Sequence, residues 1–185
     1  NYNEQGQYLG SFHARDRILV VLKSGECYTS DFSDSIHIEE NLLRIEKNEP
    51  RKIWTAVYYD ADQKYHYIKR FSIEEDQKRE NILGENPKNE LLLLTDTYYP
   101  RLLIGRQEKG GELRTTEIDV EEFALVKSIR ARGKRIAPYL IDQVEELPPL
   151  KESPVFESEH DESMAETEEE EADLFAGQTE DSSNE

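Results

Sequence analysis

One cysteine, Cys27, and one methionine are all the sulfur in 185 residues. A single thiol excludes an internal disulfide framework and any zinc site built on a cysteine cluster. It fits a reducing cytoplasm, the location expected here. Histidine is scarce too. His13, His37, His66 and His160 show no metal-ligand spacing, and each reads as an ordinary exposed or half-buried side chain. No uncharged apolar run approaches the roughly 18–20 residues of a membrane span, so no membrane role is expected. The start, Asn1-Tyr2-Asn3-Glu4-Gln5, has neither a basic nor an apolar signal region. It also lacks an initiator methionine, which implies a processed or excised piece of a longer protein. There is no glycine-rich phosphate loop and no serine in a nucleophile elbow. Carboxylates are so plentiful that no pair can be singled out for acid–base work. No catalytic residue, metal site or bound cofactor is therefore expected in this chain.

Negative charge is in excess, and it is unevenly placed. The net charge is −18, yet residues 1–150 hold 22 basic against 27 acidic residues, a net of −5. Residues 151–185 hold one basic residue, Lys151, against 14 acidic ones, a net of −13. From Leu147 the character changes: Pro148, Pro149 and Pro154 break structure, and runs such as Glu168-Glu169-Glu170-Glu171 follow. Such a tract buries too little apolar surface to offset its chain entropy, which predicts a disordered acidic tail over 148–185. Two apolar islands, Val155-Phe156 and Leu174-Phe175, are candidate anchors for it. The hydrophobic share, 36%, is held down by the tail. Residues 1–147 remain as one domain with a real core.

That domain reads as all-β. Ile18-Leu19-Val20-Val21-Leu22, a turn at Lys23-Ser24-Gly25-Glu26, and a strand from Cys27 to Phe32 make a first hairpin, with Gly25 tolerating positive φ. Ile53 to Tyr59, a turn at 60–64, and Tyr65 to Phe71 make a second, rich in β-branched and aromatic residues. Leu91 to Thr95 is a further strand candidate. Arg101 to Gly105, a turn at 108–111, and Leu113 to Val120 make a third hairpin. First-strand centres Val20, Val57 and Leu103 are 37 and 46 residues apart. Antiparallel units repeated at ~40–50 residues point to propeller-like blades, against unrelated hairpins in a sandwich or barrel. Helix is sparse: a short surface turn over Ser72 to Glu80, where Ser72 and Glu75 have capping-box spacing, and a single turn at Val120 to Phe123.

Within this acidic chain, Lys127-Ser128-Ile129-Arg130-Ala131-Arg132-Gly133-Lys134-Arg135 packs five cations into nine residues. Gly133 permits a tight turn or a close backbone approach. Such a cluster suits phosphate contacts, which set affinity without reading sequence. Lys69-Arg70 is a smaller patch at a strand end, and Lys23 sits at a turn. The plainer reading is a solvated loop balanced by Glu121 and Glu122.

Trp54-Thr-Ala-Val-Tyr-Tyr-Asp60 with Tyr67-Ile-Lys-Arg-Phe71 resembles a blade of the C-terminal domain of type IIA topoisomerase A subunits, in the form found in Bacteroidetes-like bacteria. Glu117 to Ile136 is similar to that family's blade-closing segment, and Ile18 to Phe32 to its general hairpin. Together these cover most of residues 10–145. The resemblance implies a β-pinwheel, partial here because three hairpins fall short of the usual five or six blades. It implies a basic rim that binds and bends duplex DNA for ATP-dependent strand passage by the holoenzyme, in decatenation and supercoil relaxation. The partners would be duplex DNA, the rest of the A subunit and the ATPase B subunit, with ATP and Mg2+ serving the holoenzyme alone. The gyrase box, Gln-basic-basic-Gly-Gly-basic-Gly, is absent, which favours the topoisomerase IV branch. The parent would be an isomerase, but no tyrosine here lies in the family's catalytic motif. The expected DNA contacts are Lys127, Arg130, Arg132, Lys134 and Arg135, with Lys69 and Arg70 second. Five neutralised phosphates would give a log–log salt slope of roughly −4 to −5. A tail of −13 tethered near such a rim is either a polyanion that competes with DNA or a solubilising end with no regulatory effect. The alternative is a protein-interaction module offering edge strands or the aromatics Tyr58, Tyr59, Tyr98 and Tyr99, which the −5 of residues 1–150 favours.

Overall fold

The computed structural model describes residues 8–31 and 39–156, and all three expected hairpins form in it. In chain order the strands are β1 (Ile18–Leu22), β2 (Glu26–Ser30), β3 (Leu42–Lys47), β4 (Trp54–Asp60), β5 (Tyr65–Phe71), β6 (Glu80–Asn81), β7 (Glu90–Thr95), β8 (Arg101–Gln107) and β9 (Leu113–Asp119). A single helical turn, α1 (Val120–Phe123), follows, then β10 (Val126–Lys127), β11 (Lys134–Arg135) and β12 (Gln143–Leu147). The fold is all-β, in several sheets of mostly antiparallel strands, none of them closed. Each hairpin turn is made by local chemistry. Gly25 sits at φ +89°, and a Cβ there would lie 2.5 Å from the Leu83 side chain, so only glycine fits. Asp60 closes the second turn: its Oδ1 accepts from the backbone N–H groups of Asp62 and Gln63, and its carbonyl accepts from Lys64 at 2.7 Å. At α1 the Asp119 carboxylate accepts from the Glu121 and Glu122 N–H groups, an N-cap followed by an acidic first turn.

One plan recurs three times. The first hairpin strand is central, its partner flanks it on one side, and a later strand returns to its other side. β1 thus lies between β2 and β3, β4 between β5 and β7, and β8 between β9 and β12. The units also exchange strands. β6, which follows β5, pairs back with β2 of the unit before. β10 and β11, which follow β9, pair back with β5, one parallel and one antiparallel. The second hairpin strand of units one and two is therefore covered by a strap from the unit that follows. Among the described residues β9 has no such partner, and its outer edge is open.

Burial explains the strand patterns. Leu19, Val21 and Cys27 of the first sheet pack with Trp54, Ala56, Tyr58 and Phe71 of the second. Val57 and Ile68, on the second sheet's opposite face, pack with Leu102 and Ile104 of the third, and with Val120 and Ile141. The middle sheet is covered on both faces, so β4 and β5 are apolar or buried at nearly every position instead of alternating. The remaining face of β1, with Ile18, Val20 and Leu22, packs against Phe12, Tyr28, Leu42 and Ile45.

Several expectations need correction. The short helix over Ser72 to Glu80 does not form. Thr29 of β2 draws that backbone into an extended crossing instead: the Thr29 N–H donates to the Gln77 carbonyl at 3.0 Å, and its Oγ1 accepts from the Gln77 N–H at 2.8 Å. Ile73 and Gln77 are buried as a result. β2 ends at Ser30; Phe32, the expected strand end, lies outside the described residues, as do His37, His160 and the 174–175 island. So does most of the acidic tail, from residue 157 on. The returning strands β3 and β12 were not foreseen, because charged residues interrupt their apolar positions.

Candidate nucleic-acid interface

Residues 126–135 form a strap across the middle sheet. β10 runs beside β5 at Arg70 and Phe71, Ser128 to Ala131 turn the chain, and β11 returns opposite Ile68 and Tyr67. Ile129 packs into the core between sheets one and two, and Ile136 into the core between sheets two and three. The cations between these two apolar anchors face outward. Gly133 is the tightest point, at φ +93°: a Cβ there would lie 2.3 Å from the Ile68 carbonyl oxygen. The close approach expected of this glycine is thus to the chain's own β5.

The five cluster cations differ in what holds them. Arg130 is exposed but forked onto Glu80 of the neighbouring strap, with Nε 3.0 Å from both carboxylate oxygens. This contact holds the Glu80 carboxyl below its usual range. The Arg132 Nε lies 2.9 Å from Oδ2 of buried Asp60, and the Arg132 carbonyl accepts from the Tyr58 hydroxyl at 2.7 Å. Burial, then the nearby Asp60 charge, pushes the Tyr58 phenol up, so it stays a donor. Lys134 lies 4.4 Å over the Phe123 ring and Arg135 4.7 Å over the Tyr65 ring, both exposed. Lys127 is exposed on β10. The strap thus presents Lys127, Lys134 and Arg135 without a carboxylate partner among the described residues, while Arg130 and Arg132 are already paired. The expected counter-charges, Glu121 and Glu122, are not the ones used; Glu121 pairs with Lys151.

Lys69 and Arg70 are placed differently from the expectation. Both are buried, at 3% and 6% exposure, and the Lys69 ammonium and the Arg70 Nη1 and Nη2 donate to backbone carbonyls, while Arg70 Nε is buried without a partner among the described residues. The Lys69 ammonium donates to Ile82 at 2.6 Å and to Ile129 at 2.5 Å, joining the first strap to the second. Burial draws its pKa down to about 8. Arg70 donates to the carbonyls of Tyr98 at 3.1 Å and Ala124 at 3.4 Å. On adjacent positions of β5 the two point to opposite faces, and together they hold the chain on both sides of β10. They present no charge to a ligand. Sequence reasoning missed Arg106, an exposed cation 4.3 Å over the Tyr139 ring; its single charge in a strand gave no signal.

The aromatics of the alternative reading are only partly available. Tyr58 is buried, Tyr59 packs against the His66 ring, and Tyr98 meets Tyr99 edge-on. Among the described residues no group of three or more His, Cys, Asp or Glu side chains is arranged to hold a metal ion. No helix there is long and apolar enough to cross a membrane. A family model described as the topoisomerase C-terminal domain of Bacteroidota matches residues 1–148. No curated protein and no solved structure matches the chain.

Proposed function

The chain belongs to the topoisomerase C-terminal domain family of Bacteroidota, and from that premise we propose that it binds and bends duplex DNA as the C-terminal region of a topoisomerase IV-like A subunit. It would present a DNA segment to strand-passage machinery in the rest of the A subunit and the ATPase B subunit, in the cytoplasm. ATP and Mg2+ would act there, and we assign no cofactor to this part. We read the architecture as a partial β-pinwheel over residues 1–147, followed by the acidic tail over 148–185. The strands passed back from each unit to the one before support that reading.

The observation that carries the DNA assignment is the strap. Lys134 and Arg135 stand exposed between the core anchors Ile129 and Ile136, and Lys127 stands exposed on β10 just before them. Such cations contact phosphate, and affinity without sequence readout follows. Arg130 and Arg132 spend their charge on Glu80 and Asp60, so they add less than their number suggests. The test is a triple variant, Lys127→Gln with Lys134→Gln and Arg135→Gln, titrated with several unrelated duplexes. Affinity is expected to fall by about tenfold or more at ~50 mM salt, equally for every sequence. Unchanged affinity refutes the assignment.

A protein-interaction role is favoured by one observation, the open edge of β9, whose N–H and C=O groups are available to an added strand. If the chain fails to bind any duplex at ~50 mM salt, that role takes precedence.

A further inference from the structure

Cations over aromatic rings differ here in whether a carboxylate also holds them. Arg44 and Lys52 lie over Trp54, but each also holds Glu46 and Asp96, so their charge is cancelled where it stands. Lys134, Arg135 and Arg106 also lie over rings and are exposed, yet among the described residues none has a carboxylate within ion-pair distance. A ring orients a cation through its quadrupole and leaves the net charge intact. Such a cation is ordered in advance for an incoming anion and is not neutralised by its support. Two of the three lie on the strap. The third, Arg106, is on β8 of the next sheet.

The chain joins these positions. From Arg135 it runs to Ile136, whose N–H donates to the His66 carbonyl at 2.9 Å. It then passes Tyr139 and reaches Ile141, whose N–H donates to His66 Nδ1 at 3.2 Å. At Asp142 it docks on both sides of Arg106: the Asp142 N–H donates to the Gly105 carbonyl at 2.9 Å, and its carboxylate accepts from the Gln107 N–H at 2.6 Å. The four peptide steps from Arg135 to Tyr139 span at most ~14 Å. A duplex carries one charge per ~1.7 Å of axis, so a reach of that order covers several phosphates of one duplex.

We propose that Arg106, held over Tyr139, is a further contact to duplex phosphate, and that it carries the cationic track of the strap from the middle sheet onto the third. The inference rests on the DNA reading above and adds to it a residue, a direction along the molecule and a means of ordering. The test measures affinity for a fluorescent duplex against salt, with the 185-residue chain, for Arg106→Gln, Arg135→Gln, Tyr139→Leu and the control Lys88→Gln, an exposed lysine outside the strap and β8. Arg106→Gln and Arg135→Gln should each reduce the log–log slope by about one, so that the affinity lost between ~50 and ~200 mM salt shrinks roughly three- to fourfold. Tyr139→Leu keeps the charge and loses its support: the slope should hold while Kd rises roughly two- to fivefold. If Arg135→Gln lowers the slope and Arg106→Gln matches Lys88→Gln, the track stops at the strap and this inference fails alone. If no variant changes the slope, the DNA reading fails with it. An unchanged Kd in Tyr139→Leu overturns the ordering role of the ring.

Discussion

At the scale of single residues, the tightest constraint is Gly133. Its positive φ and the Ile68 carbonyl 2.3 Å from a would-be Cβ act together. Gly133→Ala should destabilise the fold by about 2–4 kcal/mol, read by urea denaturation, because both backbone strain and a clash against a β-strand must be relieved. Cys27 is sealed in the core between the first two sheets, and burial raises its thiol to about 12 from 9.0. At pH 8 the native chain should alkylate on the order of a thousandfold more slowly than the chain in urea, from the thiolate fraction alone. Equal rates would place Cys27 outside the core. Residue type showed where cations cluster, but it did not show which are free. Lys69 and Arg70 look in sequence like Lys134 and Arg135. Only the covering of β5 on both faces turns the first pair inward, and that covering comes from segments far apart in the chain, from Leu19 before it to Ile129 after it.

At the scale of elements, the strap and the connection after it hang on β5, and His66 ties them down. The His66 ring accepts the Ile141 N–H at Nδ1, which requires a neutral imidazole. Burial lowers its pKa below 6.5, against an opposing pull from the charges of Asp142 and Glu90. A pKa lower in the folded chain than in the unfolded one means the unfolded state takes up the proton first. The stabilisation is therefore complete above about pH 6.5 and is lost as pH falls through the folded value. The urea midpoint should drop below pH 6.5, with exchange of the Ile141 amide rising in step. His66→Asn, which can still accept at Oδ1, should lose that pH dependence; if it keeps it, His66 is not the titrating group. Hairpins were legible from apolar runs and turn residues, since those signals are local. The straps were not: β6, β10 and β11 are only two residues long, and they become strands only because a neighbouring unit offers an edge.

At the scale of the whole molecule, the near-regular spacing of Val20, Val57 and Leu103 pointed to a repeated unit, and the repeated strand order gives that spacing its meaning. Exchange of straps ties each unit to the one before, so the charged segment 127–135 belongs by sequence to the third unit and by position to the second. Net charge alone was a poor guide for the same reason: it counts Arg130 and Arg132 as free when Glu80 and Asp60 hold them. The number of phosphates contacted should follow the unpaired cations. Lys127, Lys134, Arg135 and Arg106 give three or four contacts, fewer than the five read from the cluster. The most direct measurement is the salt dependence of duplex affinity for the unaltered chain, plotted as log affinity against log salt concentration. A slope of roughly −3 to −4, the same for unrelated duplexes, is the predicted result; a slope near zero, or no binding at ~50 mM salt, would contradict a DNA-binding strap.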